Sequence, residues 1–218
     1  MRTLSKDEYE ALLAQSEIIE KDRHGVKVLR LPDGNFLKTF WFRRLISSRR
    51  IYPESFRFMI NAKALRRRGI PTVLVRKRVQ IPHLNRTGVI YQPLAGRTLR
   101  QVAKDGQFTA QLAGLLGAFI AGLHRQGVYF RALHLGNVVL CPDGTLGLID
   151  ISNLTAYPWP LGQRAGMRNL FHLFRYPNDS QVIADAGTRN FMDGYLKEKF
   201  CPRMQRRMRR KIKRWVAE

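Results

Sequence analysis

Acidic side chains are scarce in this chain of 218 residues. It carries 16 Asp and Glu against 39 Lys and Arg, which gives a formal net charge of +23. Positive charges in such excess repel one another unless an anion lies close to them. The composition therefore predicts an anionic partner, and the classes that remain open are nucleic acid, anionic lipid, nucleotide and phosphorylated glycan.

Cysteine is also rare. The two cysteines, Cys141 and Cys201, form no CxxC pair and have no histidine cluster beside them. This pattern argues against a disulfide framework and against a zinc site, and it fits a reducing compartment.

Long apolar runs are missing as well. The longest uncharged stretch, residues 106–123, contains Gln107, Thr109 and Gln111 and has helical spacing, whereas a membrane span needs about 20 mostly apolar residues. The first residues include no apolar segment of the kind that a secretory signal carries. We therefore expect a cytoplasmic protein, with contact to a membrane surface left open.

Alternation and turn residues predict a β-rich first third. Ser5 and Glu8 have the spacing of a capping box, which predicts a short helix that continues to about Gln15. A β-hairpin is predicted because Pro32-Asp-Gly-Asn35 separates two stretches with strand-like patterns. The segments predicted in this third are the hairpin strands 26–31 and 35–40, a helix over 54–68, and strands over 73–79 and 88–92.

The rest of the chain is predicted to be mostly helical. Apolar residues at spacings of three and four predict a buried helix between Thr109 and Arg125. A hairpin interrupts the helices, with strands 138–140 and 146–149 joined by a D-G turn. This order predicts an α+β fold with two lobes, a small β-rich lobe over 1–93 and a mostly helical lobe over 94–218.

Two polar residues border that hairpin. Asn137 precedes its first strand, and Asp150 follows its second. Oxygen ligands of this kind are what Mg²⁺ prefers, and a metal ion held there could bridge the phosphates of a nucleotide. The alternative is turn chemistry, in which Asn and Asp side chains bond to nearby backbone.

The segments around these residues resemble a known kinase family. Leu133-His-Leu-Gly-Asn137 is very similar to the end of the loop H-G-D-L-H-x-G-N of small-molecule and sugar kinases. Leu148-Ile-Asp150 is typical of the kinases of the lipopolysaccharide core, and residues 169–176 resemble their C-terminal region. The resemblance covers roughly residues 25–200. It implies a protein-kinase-like fold, ATP and Mg²⁺ as cofactors, Asn137 and Asp150 as metal ligands, and a core sugar such as heptose, or another anionic glycan, as partner.

The resemblance is incomplete at the catalytic position. Phe130 stands where the pattern has His, and Ala132 stands where it has the aspartate that accepts the proton of the acceptor hydroxyl. Ser152 stands where D-F-G has its glycine. Because Ala132 cannot accept a proton, His134 is a candidate substitute base, although its spacing does not match that role. The alternative for His134 is a hydrogen bond that stabilises the loop.

The first third holds the other residues that the resemblance implies. Lys38 lies on a predicted strand after a hairpin, like the lysine of V-A-I-K that pairs with nucleotide phosphates, and it is expected to point into a cleft between the lobes. The alternative is an exposed strand lysine. The partner of Lys38 is expected to be Glu54, although Asn61 is nearer to the usual position. Backbone around Gln92 and Leu94 is expected to meet the adenine.

The glycine-rich loop of kinases is degenerate in this sequence. In place of G-x-G-x-x-G, the chain has only Asp22-Arg-His-Gly25 and, further on, Gly34. This is a second departure from the kinase pattern, and it concerns the backbone that would cover the phosphates.

Positive charge is concentrated near the C-terminus. Residues 203–214 hold eight Lys or Arg and no acid, and Met204, Met208, Ile212 and Trp215 recur at helical spacing. A basic amphipathic helix of this kind suits an anionic membrane surface, here the inner face of the cytoplasmic membrane. The alternative is a terminal helix whose apolar stripe packs on the protein and whose basic face is solvated.

Three functions remain open from the sequence. The first is an ATP- and Mg²⁺-dependent kinase for a core sugar, slowed by the alanine at position 132. The second is a pseudokinase that binds nucleotide or acts as a scaffold in the same cell-envelope pathway, and Ala132 favours it. The third, a basic nucleic-acid-binding protein, has the least support, because none of the basic clusters lies in a known nucleic-acid-binding motif.

Overall fold

The computed structural model describes residues 1–22, 25–41, 53–197, 206, 209–212 and 214–215. Contacts divide the chain into two compact units, Met1–Leu94 and Ala95–Glu218. The first unit holds a β-sheet with two helices, and the second is mainly helical. The α+β class predicted from the sequence is confirmed.

Among the residues described, a six-stranded sheet forms the centre of the first unit. Its strands are β1 (Arg2–Thr3), β2 (Glu17–Asp22), β3 (Gly25–Arg30), β4 (Phe36–Trp41), β5 (Leu74–Ile81) and β6 (Arg86–Gln92). They lie in the order β1-β5-β6-β4-β3-β2, and only the pair of β1 and β5 is parallel. The pairing of β3 with β4, with Leu29 opposite Leu37, confirms the predicted hairpin.

A capped helix lies between the first two strands. Helix α1 (Lys6–Ala14) begins after Ser5, whose hydroxyl accepts a hydrogen bond from the backbone N–H of Glu8. The Glu8 carboxylate in turn accepts one from the backbone N–H of Ser5 at 2.8 Å. This is the predicted capping box, which satisfies two N–H groups that a helix start leaves without partners.

The second helix packs on the sheet through aromatic contacts. Helix α2 (Glu54–Arg66) buries Phe58 at 1% exposure. The Phe58 ring lies 6.1 Å from that of Phe40 on β4 and 5.3 Å from that of Tyr91 on β6. These contacts hold α2 against β4 and β6, and β4 is the strand that carries Lys38.

In the described part of the second unit, four helices form the main framework. They are α3 (Leu99–Lys104), α4 (Ala110–Arg125), α5 (Gln163–Phe174) and α6 (Pro177–Leu196). Helix α4 has the buried apolar stripe that its spacing predicts. Its glycines let α6 approach closely, because a Cβ on Gly117 would overlap the backbone of Phe191.

Short strands complete the second unit. Strands β7 (Arg97–Thr98), β9 (Val138–Leu140) and β10 (Leu146–Leu148) form one small sheet, and β8 (Val128–Phe130) pairs with β11 (Leu154–Ala156). The antiparallel pair of β9 and β10 confirms the predicted hairpin. The two sheets hold both ends of the segment that contains Ala132, Asn137 and Asp150.

Several elements were not predicted. Strand β2 is exposed along its whole length, so it lacks the alternation that identifies a half-buried strand. The strands β1, β7, β8 and β11 have two or three residues each, which is too short for a periodic pattern. Within the described ranges, no helix combines the length and apolar character needed to cross a membrane.

Candidate functional site

The candidate site is built on the loop from Phe130 to Asn137. Strand β8 delivers Phe130 to the loop, and a short 3₁₀ turn over Leu135–Asn137 leads out of it into β9. The side chains of Phe130, Leu133 and Leu135 are 0% exposed. These apolar residues hold the loop in the core of the second unit, while Ala132 and His134 between them are only half-buried.

Asn169 on α5 fixes the start of this loop. Its Oδ1 accepts a hydrogen bond from the backbone N–H of Phe130 at 3.3 Å, and its Nδ2 donates to the carbonyl oxygen of Phe130 at 2.6 Å. The Asn169 side chain is fully buried. An amide therefore pairs with both backbone groups of Phe130, as a neighbouring strand would do.

His124 and Tyr195 extend this buried network. The Asn169 oxygen accepts from Nε2 of His124 at 3.1 Å, so the other ring nitrogen, Nδ1, accepts from the hydroxyl of Tyr195 at 2.8 Å. Burial lowers the pKa of His124 to about 4, although the hydrogen bond with Asn169 opposes this shift. Burial also raises the pKa of Tyr195. Both groups are therefore neutral near pH 7, and they tie α4, α5 and α6 together at the loop.

Asp179 in the first turn of α6 fixes the middle of the loop. Its side chain is 3% exposed and accepts a hydrogen bond from the backbone N–H of Leu135 at 2.8 Å. It also accepts three hydrogen bonds from Arg100 on α3, at 2.9 to 3.1 Å. Sequence reasoning missed this pair. The available signal was Pro177 followed by an acidic residue, a pattern typical of a helix start.

Asn137 is held by the loop itself. It is 7% exposed, and its Nδ2 donates to the carbonyl oxygen of Ala132 at 2.9 Å. This bond uses the donor end of the amide, and in the described part of the chain the Oδ1 atom has no hydrogen-bond partner. The acceptor end of a fixed, buried amide therefore remains available to a ligand.

Asp150 has an unusual backbone conformation beside Asn137. Its φ of 50° and ψ of 47° lie in the left-handed region, which residues other than glycine rarely adopt. The preceding residue, Ile149, donates its N–H to the carbonyl oxygen of Asn137 at 3.1 Å. Backbone conformations of this kind cluster at functional sites, and this one places a half-buried carboxylate next to the loop.

The two side chains fit the chemistry of Mg²⁺. The ion binds oxygen ligands and is commonly held by one or two carboxylates together with the phosphates of its substrate. Asp150 supplies a carboxylate, and Asn137 supplies an amide oxygen. Among the described residues, no group of three or more His, Cys, Asp or Glu could hold a metal ion without such a substrate.

Ala132 is the residue predicted to stand at the position of the base, and His134 follows it by two residues. Nδ1 of His134 accepts a hydrogen bond from the N–H of Gly136 at 3.1 Å, and its ring meets Tyr176 edge-on at 5.0 Å. Burial lowers the pKa of His134, and Arg100 lowers it further. The neutral ring thus uses its free lone pair within the loop and carries its proton on Nε2. This is the loop-stabilising bond given above as the alternative, and the role of base stays a prediction.

Lys38 is buried in the first unit. It lies on β4 opposite Val28 and Val89, and it is only 6% exposed. Its ammonium group is 6.0 Å from the ring centroid of Phe40. On the following helix, Glu54 is exposed in the first turn, whereas Asn61 is buried two turns later. The assignment of Glu54 as the partner of Lys38 stays a prediction.

The other predicted nucleotide contacts are placed as follows. Gln92 ends β6, and its side chain accepts a hydrogen bond from Arg76 at 2.7 Å. Leu94 is half-buried at the end of the first unit. In the degenerate phosphate loop, Asp22 pairs with Gly25, while residues 23 and 24 lie outside the described residues. Gly34 belongs instead to the turn between β3 and β4.

The described part of the C-terminal basic segment is helical and packs on the second unit. Ile212 is 0% exposed, and the ring of Trp215 lies 5.7 Å from Phe171 and 6.1 Å from Phe174. Arg209 forms an ion pair with Asp193 at 2.5 Å. At Ile212 and Trp215, the apolar stripe therefore packs on the protein itself. This agrees with the alternative of a terminal helix with a packed apolar stripe and a solvated basic face. Met204 and Met208 lie outside the described residues.

Comparison with known proteins gives structural similarity at low identity. No protein-family model and no curated protein matches the sequence. A structure of WbdD with a kinase inhibitor is 16% identical over 83% of this chain and 42% of WbdD, with a TM-score of 0.42. A second structure of WbdD, a bifunctional kinase-methyltransferase, is 15% identical over 83% and 41%, with a TM-score of 0.46. The chain thus spans about two fifths of the length of WbdD.

A third similar structure is a divergent Toxoplasma kinase that lacks the glycine-rich loop. It is 14% identical over 99% of this chain and 80% of that kinase, with a TM-score of 0.47.

The order of elements in the chain itself identifies the fold. In the first unit, three antiparallel strands end in the strand that carries Lys38, a helix follows, and two more strands complete the sheet. In the second unit, a buried helix precedes the loop with Asn137, the hairpin and Asp150. Protein kinases have their lysine strand, the next helix, the catalytic loop and the D-F-G segment in this order. The chain has a protein-kinase-like fold, and the assignment of Ala132 to the position of the catalytic aspartate stays a prediction.

Proposed function

We propose that this chain is a kinase-like protein of lipopolysaccharide core biosynthesis that binds ATP with Mg²⁺ and transfers phosphate slowly to a core sugar. The observation that carries the nucleotide part is the pair of Asn137 and Asp150. One is a mostly buried side chain whose amide oxygen has no partner among the described residues, and the other is a carboxylate on a backbone in the left-handed region. Asn137 and Asp150 would hold Mg²⁺ together with the nucleotide, and the ion would supply positive charge against the negative charge that develops during transfer.

The proposed slow rate follows from Ala132. Its methyl group cannot take the proton of the acceptor hydroxyl, and a positioned general base contributes about 10²–10⁴-fold to such a step. Phosphoryl transfer depends mainly on positioning and on charge stabilisation, so the remaining site can still support a slow reaction. Lys38 of the first unit is the residue that we assign to the nucleotide phosphates.

The acceptor class rests on the sequence resemblance. Leu148-Ile-Asp150 and the segment from Asn169 to Tyr176 are the parts that resemble the lipopolysaccharide core kinases. The net charge of +23 agrees with an anionic glycan as partner and with a site of action at the anionic inner face of the cytoplasmic membrane.

A second candidate is a pseudokinase that binds nucleotide without transferring phosphate. Two observations favour it. Ala132 lacks a proton acceptor, and the Nδ1 lone pair of His134 is already engaged by the N–H of Gly136. In this function the protein would act as a nucleotide-dependent scaffold in the same envelope pathway.

Thermal unfolding with and without ATP and Mg²⁺ tests the shared part of both candidates. We expect nucleotide and metal together to raise the melting temperature of the parent, and Asp150→Ala to remove this increase. Stabilisation by nucleic acid instead of ATP would contradict both candidates and support the third function.

Transfer of labelled phosphate to purified core oligosaccharide separates the two candidates. A slow transfer that depends on Asp150 supports the kinase. If ATP binds but no transfer occurs with the core oligosaccharide, the pseudokinase is the better description.

A further inference from the structure

A groove in the second unit lies between α5 and the C-terminal helical residues, apart from the loop that holds Asn137. It has a volume of about 530 Å³, which is in the size range of small-ligand sites. Its lining consists of Gln163, Arg164, Met167, Arg168, Phe171, Lys211 and Trp215. None of these lining residues, which are those that the structure describes, is acidic.

Three cations line this groove, and the described part of the chain gives them no acidic partner. Arg164, Arg168 and Lys211 are all exposed, and none forms an ion pair with any residue that the structure describes. Further positive charge lies near the same helix, since burial lowers the pKa of His172, and the charges of Arg175, Arg131 and Arg168 lower it further. Cations held together without a counter-charge repel one another, and a bound anion removes that cost.

The floor of the groove is apolar and firmly held. Phe171 remains 47% exposed although it contacts Trp215, and the Trp215 ring also contacts that of Phe174. Exposed aromatic surface beside cations suits a ligand with an anionic head and an apolar continuation. Aromatic side chains also favour the boundary between lipid headgroups and acyl chains.

We propose that this groove binds the phosphate-bearing headgroup of an anionic membrane lipid. The three cations bind the phosphate, and Phe171 with Trp215 contacts the glycerol and the first part of the acyl chains. The site needs neither nucleotide nor the transfer reaction, so it stands apart from the proposed kinase function. It also assigns membrane contact to a defined groove and not to the whole apolar stripe of the C-terminal segment, because Ile212 of that stripe is fully buried within the protein.

The test uses two matched double variants and vesicles that contain phosphatidic acid. Arg164→Gln/Arg168→Gln removes two charges from the groove, and Lys104→Gln/Arg189→Gln removes two charges from exposed helix positions that do not line it. Glutamine keeps a helix-favouring side chain, so both variants should fold. Unfolding temperature and ATP-induced stabilisation serve as checks on each variant.

In co-sedimentation, we expect the groove variant to lose about thirtyfold in affinity, because each of the two removed cations contributes roughly five- to sixfold near a membrane surface. The control should bind within a few fold of the parent, roughly threefold at most, because distant exposed charges are screened. Equal losses in both variants would show diffuse attraction and would overturn the site, as would no loss in either.

A soluble probe distinguishes the source of the phosphate. We expect glycerol 3-phosphate to bind far more weakly than the vesicles, because it lacks the apolar part. If glycerol 3-phosphate stabilised the parent and displaced it from vesicles at low concentration, the groove would be a site for a free phosphate ester, and the lipid assignment would be wrong. If ATP still stabilises the groove variant, the loss of vesicle binding concerns the groove alone and leaves the kinase proposal unaffected.

Discussion

The side-chain amide of Asn137 donates a hydrogen bond to the carbonyl oxygen of Ala132 at 2.9 Å. The residue predicted to bind the metal is thus tied to the backbone of the residue at the predicted position of the base. The second tie, from the N–H of Ile149 to the carbonyl oxygen of Asn137 at 3.1 Å, reaches the residue before Asp150. These two hydrogen bonds together fix the backbone of the loop. Ala132 nevertheless lacks the carboxylate that the kinase pattern has at its position.

Restoring the carboxylate should raise activity. Because the backbone of Ala132 is fixed by Asn137, an aspartate introduced there needs no rearrangement of the loop. We expect Ala132→Asp to increase phosphate transfer to core oligosaccharide by about 10²-fold or more, measured in single-turnover assays with equal ATP occupancy.

His134→Ala in the parent background is the companion experiment. It should leave any slow transfer nearly unchanged if His134 only stabilises the loop, and abolish it if His134 is the base. A parent turnover typical of kinases, ~1–100 per second, would contradict the impaired site altogether.

Removing Asn169 should destabilise the second unit. Asn169→Ala leaves the backbone N–H of Phe130 and the Nε2 of His124 without the partner Asn169 in a fully buried place. It also removes one of the hydrogen bonds to the Phe130 carbonyl oxygen, which still accepts from the N–H of Leu133. We expect a loss of about 2–4 kcal/mol in the free energy of unfolding, measured by chemical denaturation. Arg168→Ala, at an exposed position on the same helix, is the control and should change stability by less than about 0.5 kcal/mol. Similar effects of the two substitutions would show that the Asn169 network contributes little.

Stability should fall in mild acid because of His124. Its folded-state pKa is depressed to about 4, below the ordinary value of 6.5, so the unfolded chain binds the proton more readily than the folded one. The contribution of neutral His124 to the free energy of unfolding is complete above about pH 6.5. It is lost as the pH falls towards 4, and the total loss is about 3 kcal/mol.

The depressed pKa values of His134 and His172 act in the same direction, so the comparison must isolate His124. We expect His124→Gln to be less stable than the parent at neutral pH but to show a shallower decline between pH 6.5 and 4. Parallel pH profiles for the two proteins would contradict the buried neutral imidazole.

Gly96 lies so close to the backbone of β9 that a side chain would not fit there. It has a φ of 129°, and a Cβ there would overlap the carbonyl oxygen of Leu140 on β9. We expect Gly96→Ala to cost about 2–4 kcal/mol of unfolding free energy. Gly106 also has a positive φ, of 69°, but has open space around it, so Gly106→Ala should cost only about 1 kcal/mol. Equal costs would mean that the backbone near Gly96 can relax.

Much of the fold was predictable because its signals are local. The capping box of Ser5 and Glu8, the apolar stripe of α4 and the turn before Gly144 each depend on residues that are close in sequence. The exposed strand β2 was not predicted, because its stability comes from pairing with β3 and not from a buried face.

The candidate site was only partly predictable for the same reason. Asn137 and Asp150 are recognised from a string of residues with fixed spacing. The residues that hold the loop come from far along the chain, since Asp179 bonds to Leu135 across 44 positions and Asn169 to Phe130 across 39. No local pattern records such a contact, and in sequence these residues look like ordinary polar residues of helices.

Calorimetric titration with ATP and Mg²⁺ tests the central claim most directly. Asp150→Asn removes the carboxylate but keeps a residue that tolerates the left-handed backbone, and Asp143→Asn makes the same change at the exposed turn of the same hairpin. The account predicts that the parent and Asp143→Asn bind the metal–nucleotide complex alike, while Asp150→Asn loses at least about tenfold in affinity, or 1.4 kcal/mol. Equal binding by all three proteins, or no binding by the folded parent, would contradict it.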